Sequence, residues 1–69
     1  MYRMFIDKRK LYLQCAKQKI GIKELVAKAG LTYQVIVAIN KGFSSNSKTV
    51  GSLAEALNVS PEALLKDEV

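Results

Sequence analysis

Residues 22–42 read IKELVAKAGLTYQVIVAINKG. Leu25, Val26 and Ala29 recur at helical spacing behind Gly21, which predicts an amphipathic helix. Gly30 stops that helix, because glycine enters the left-handed conformation that helix C-termini commonly need. Leu31 is apolar and is expected to tuck into the core. Thr32 then caps a second helix running to about Lys41, with Ile36 and Ile39 facing inward and Gly42 ending it. So short a turn fixes the angle between two helices, and it leaves the start of the second one projecting.

The flanking sequence supplies the rest of a bundle. Asp7 can cap a first helix of about residues 8–18 by accepting from first-turn amides. Leu11 and Cys15, with Tyr12 beside them, mark its inner face, and Ile20 closes the connection behind it. Lys8, Arg9, Lys10, Lys17 and Lys19 read as its solvated side. After the central pair comes a polar loop around one aromatic, Phe43 to Ser47. A fourth helix of roughly residues 48–57 then buries Val50, Leu53, Ala56 and Leu57. Either Asn46 or Ser47 caps it, and Gly51 weakens it by roughly 1 kcal/mol relative to alanine. Ser60-Pro61 reads as a cap with proline at the first helical position, opening a short fifth helix that turns Leu64 and Leu65 inward. Residues 1–6 form either an extended arm or a lead-in to the first helix. The expected architecture is all-α: one domain over residues 1–69, a compact bundle of about five short helices.

At 69 residues the chain can build one core, which at this size supplies roughly 3–5 kcal/mol of net stability. The hydrophobic fraction of 49% is sufficient for it. No apolar run approaches the roughly 18 residues of a membrane span, and no signal-peptide pattern is present, so a cytoplasmic protein with no membrane partner is expected. With a single cysteine and no histidine, neither a disulfide nor a zinc site is expected, and Cys15 reads as a buried thiol. The net charge of +5 is unevenly spread. Ten of the eleven Lys/Arg stand in residues 1–50 against only Asp7 and Glu24, whereas residues 51–69 carry Lys66 against Glu55, Glu62, Asp67 and Glu68. One face is therefore expected to attract an anionic partner. Nothing organises a nucleophile with a base, so an enzyme is not expected.

The stretches KELVAKAGLTYQVIVAINKG and SLAEALNVSPEALL, with KLYLQCAKQKI as a first helix, resemble the phage repressor and Cro type of helix-turn-helix domain. This is the xenobiotic-response-element family of bacterial transcriptional regulators, and the resemblance spans nearly all of residues 8–66. It implies a lambda-repressor-like fold, with the helix-turn-helix formed by helices 2 and 3 and the third helix reading the major groove of double-stranded DNA. Three positions depart from the family pattern. Ile22 stands where glutamine is usual, Val26 where alanine lets helices 2 and 3 approach, and Asn40 where glutamate is frequent.

Carried over residue by residue, the family's base-contacting positions fall on Thr32, Tyr33, Gln34 and Ala38, with Val37 beside them. Gln34 can donate and accept at once, which matches the N7 and N6 edge of adenine. Val37 and Ala38 suit thymine methyl groups, while Val35 reads as packing. Tyr33 either contacts DNA or leans on helix 2. Phosphate contacts are expected from Lys23, Lys41, Ser44, Ser45, Asn46 and Lys48, helped by amides at the starts of helices 2 and 4. No cofactor, metal or small-molecule ligand is expected. The rival reading is a protein-interaction module such as an antitoxin or an antagonist of another regulator, for which Val35, Val37 and Ala38 would supply an apolar stripe. The resemblance also implies a homodimer. With no further domain after Val69, it would use Leu64, Leu65 and Val69 or the arm residues Tyr2, Met4 and Phe5, unless the protein is a monomer that pairs only on its operator.

Overall fold

Asp7 starts the first helix as expected: its carboxylate accepts from the Arg9 amide at 2.9 Å. Four α-helices then follow, α1 (Lys8–Gln18), α2 (Ile22–Ala29), α3 (Tyr33–Asn40) and α4 (Ser47–Leu57), before a single 3-10 turn over Pro61–Ala63. The computed structural model describes residues 4–66. Among them there is no β-strand, only isolated bridges from Met4 to Ser45 and from Ile6 to Leu65. The fold is compact and all-helical, with a radius of gyration of 10.8 Å.

The expected fifth α-helix is reduced to that 3-10 turn. Ala63 and Leu64 donate to Ser60 and Pro61, three residues back, at 2.9 and 3.0 Å. Beyond it Leu65 is drawn into its bridge with Ile6, so the chain leaves the helical path. Leu64 is nevertheless fully buried and Leu65 packs against the core.

Three helices end in the same way. Lys19, Gly30 and Asn58 take left-handed backbone at φ 56, 72 and 56. The next residue in each case, Ile20, Leu31 or Val59, donates back to the last turn at 3.0 Å and packs against the core. An apolar side chain after a left-handed residue is the usual companion of this helix end. At Gly30 the conformation is free of strain, whereas Lys19 adopts it at a cost of about 1–2 kcal/mol. The second helix's turn therefore closes tightly, with Leu31 seated as expected.

α4 is the centre of the bundle, packing on α2, α1 and the 3-10 turn. It buries Val50, Leu53, Ala54, Ala56 and Leu57, and these meet Leu11, Leu25 and Ile36 in one core. Each fully buried leucine removes enough apolar surface from water to contribute about 1.5–3 kcal/mol before entropy is counted. Asn46, not Ser47, caps α4: its side-chain oxygen accepts from the Thr49 amide at 2.8 Å. Cys15 is buried as expected, and desolvation pushes its thiol pKa up.

Residues 4–6 form an extended arm rather than a lead-in to α1. Met4 and Ser45 exchange backbone bonds of 3.3 and 2.7 Å, Phe5 accepts from Lys66 at 2.9 Å, and Asp7 donates to Leu64 at 2.8 Å. The arm thus clasps the α3–α4 loop to the C-terminal segment. Two expectations for α1 need correction. Tyr12 is exposed, because its hydroxyl reaches Asn40 across the surface instead of entering the core. Lys10 is half-buried rather than solvated, since its ammonium donates to the Leu65 carbonyl at 3.0 Å.

Candidate nucleic-acid interface

α3 is fixed from one side only. Ile36 and Ile39 are buried, Val35 packs against the core, and α2 is the helix's main neighbour. At 100° per residue, Gln34 and Ala38 lie nearly opposite Ile36, flanked by Tyr33 and Val37. Exposure is greatest at the start of the helix: Thr32 and Gln34 are exposed, Tyr33 keeps 52% of its surface, and Val37 and Ala38 are half-buried. None of the five residues assigned to base contacts is buried, and the three at the start of the helix are exposed. Tyr33, read as either a DNA contact or an aromatic leaning on helix 2, leaves about half of its surface to solvent, at 52%.

Thr32 sits at the N-cap position with extended backbone, but its side chain makes no capping bond. The helix is started instead by the Thr32 carbonyl, which accepts from the Val35 amide at 3.1 Å. The expected hydroxyl cap is thus absent, and the first-turn amides keep their donor capacity. No acidic residue stands in that turn to repel an anion.

The residues assigned to phosphate contacts divide into two groups. Lys23 in the first turn of α2, Lys41 at the end of α3 and Lys48 in the first turn of α4 are all exposed. Gly21 offers α2 no side-chain cap, so its leading amides are open to an acceptor. Ser44 and Ser45 are half-buried, and the Ser45 amide is committed to Met4, which leaves its hydroxyl as the group able to donate outward. Asn46 uses its side-chain oxygen as the α4 cap, which reduces the free donors there and leaves its NH2 end for phosphate. The expectation of an open N-terminus at α4 is corrected accordingly.

Two features of this surface carry no local sequence signal. Asn40 and Tyr12 exchange hydrogen bonds of 3.3 and 3.2 Å, tying the end of α3 to α1. Phe43 is 61% exposed just past Gly42, whose φ of 88 turns the chain out of α3. Its amide is held by the Ala38 carbonyl at 3.0 Å, so the aromatic has a fixed root next to the base-contact face. Among the residues expected in a dimer interface, Leu64 is fully buried within its own chain and is unavailable. Phe5 is exposed, Met4 and Leu65 are half-buried, and Tyr2 and Val69 lie outside the described residues.

No protein-family model matches this chain, and neither a curated protein nor a solved structure matches it. No helix among the described residues is long and apolar enough to cross a membrane.

Proposed function

We propose that this protein is a small transcriptional regulator, a repressor of the phage repressor and Cro type, that binds double-stranded DNA sequence-specifically. In this reading α2 and α3 form the helix-turn-helix of a lambda-repressor-like domain, and α3 lies in the major groove. One observation carries it: α3 is anchored through Ile36 and Ile39 while Thr32, Tyr33 and Gln34 at its start are exposed and Val37 and Ala38 keep part of their surface. A helix held that way can be inserted into a groove without unfolding anything.

Gln34 reads adenine, Val37 and Ala38 meet thymine methyl groups, and Thr32 and Tyr33 contact the edges of the site. Lys23, Lys41 and Lys48 neutralise phosphates, with Ser44, Ser45 and Asn46 adding neutral donors. The protein acts in the cytoplasm as a homodimer on two half-sites about one helical turn apart. Selection of bound fragments from random duplex DNA tests this directly. The expected result is an enriched motif with A·T pairs and two-fold symmetry; no enrichment from any pool would overturn it.

A second reading has its own observation. Tyr33 and Phe43 are large exposed aromatics flanking half-buried Val37, an arrangement that also suits a protein partner. As a protein-only antagonist of another regulator, the chain would bind duplexes weakly and without sequence preference, whereas an antitoxin can bind both DNA and its partner. Titration with duplex at two salt concentrations separates the protein-only reading, because phosphate neutralisation makes affinity fall steeply with salt, and a partner pull-down beside it tests the antitoxin version.

A further inference from the structure

A second basic site lies away from the start of α3. Lys8 and Arg9 from the first turn of α1, Asn40 and Lys41 from the end of α3, and Lys66 from the C-terminal segment line one groove of about 310 Å3. We propose that this groove is an anion site that takes a phosphate or phosphate-monoester group.

The fold goes to some length to gather these charges. Residues 8–9, 41 and 66 are distant in sequence, and the arm brings them together. Phe5 holds the Lys66 backbone, Asp7 holds Leu64, and the Lys41 backbone N–H donates to the Val37 carbonyl at 3.1 Å. Four cations around one groove repel each other, and a bound anion relieves that repulsion. Among the described residues Asp7 is the single carboxylate in the lining, and one of its oxygens is already engaged with the Arg9 amide. An arginine beside lysines suits a tetrahedral oxyanion, since its guanidinium donates in a fork. The volume, about 310 Å3, is at the small end of ligand sites, which run from about 300 to 1,000 Å3.

The phosphate could belong to a free small molecule or to a DNA backbone, and the test distinguishes these sources. The 15N-labelled full chain is titrated with inorganic phosphate and, at equal ionic strength, with chloride. Saturable shifts at the Lys8, Arg9, Asn40, Gly42 and Lys66 amides with phosphate alone are expected. The R9Q/K66Q double variant should weaken that response roughly tenfold, while K66R, which keeps both charges and the Arg9 fork, retains most of it. Both changed side chains are exposed, and a melting curve checks that each variant folds. Equal shifts in chloride, shifts spread over Lys17 and Lys28, or indifference to R9Q/K66Q would overturn the site.

A duplex titration then names the source. If the groove takes backbone phosphate, R9Q/K66Q flattens the log–log salt slope by about 1–2. If duplex affinity and slope are unchanged while the phosphate shifts are lost, the ligand is a free phosphate compound. Duplex that fails to bind at any salt counts against the reading of α3 alone, because the phosphate titration contains no DNA.

Discussion

α3 and α4 are neighbours in sequence and opposite in character. α4 has 11 residues, five of them buried, and a side-chain cap at its start. α3 has 8 residues, buries only Ile36 and Ile39, and begins without a side-chain cap. The first is built to hold the molecule together, whereas the second receives just enough packing to stay in place. A short helix left this bare is marginal by itself, since most helical stability in proteins comes from the buried face. Its outer face is free to be chosen for another purpose, and it carries an aromatic, an amide and small apolar groups where a merely solvated helix would carry charges.

Substitutions can break this contrast. The largest effect should come from α4: Leu53→Ala in the fully buried centre should cost about 2–5 kcal/mol, comparable with the whole stability of a domain this size. A urea melt would read it as loss of most or all folded signal. Gln34→Ala on α3 should leave the melt within about 0.5 kcal/mol of wild type. Its effect belongs in duplex binding, where the preference for adenine over guanine at one position should fall by about 1–3 kcal/mol. A Gln34→Ala variant that discriminates as well as the parent would remove that residue from readout.

The two helix starts sharpen the same comparison. Asn46→Ala should destabilise by about 1 kcal/mol because it removes an observed cap, while Thr32→Ala should cost only a few tenths. Equal losses at the two positions would mean that Thr32 caps α3 in solution after all. The smallest stability effect is expected at Lys41→Ala and Lys48→Ala, both exposed. Each should weaken binding to all duplexes alike and lower the salt slope by about 1.

Much of the fold was legible because it is locally encoded. Leu11 and Cys15, Leu25 and Val26, and Ile36 and Ile39 declare their faces by helical spacing, and Asp7 and Gly30 announce a start and a stop. The end at Lys19 was harder to see, because lysine gives no signal of left-handed backbone, whereas Asn58 is of a type that enters it more readily. The choice between Asn46 and Ser47 was equally opaque, since either side chain can accept from a helix amide. What stayed hidden was non-local. The clasp of Met4 on Ser45, the Tyr12 to Asn40 pair and the Lys10 bond to Leu65 join residues that no periodicity relates. For the candidate interface, the exposed face of α3 was readable as the complement of its buried positions. The commitment of Asn46 to a cap and of the Ser45 amide to the arm was not.

The most direct measurement is amide chemical-shift mapping of the full chain on addition of the duplex recovered by selection, at low and at raised salt. The account predicts that the largest shifts fall on Thr32–Ala38 and on the Gln34 side-chain amide, with a second set at residues 43–48, and that they fade as salt rises. Shifts centred on α4 or on the outer side of α1, or none near Gln34, would contradict it.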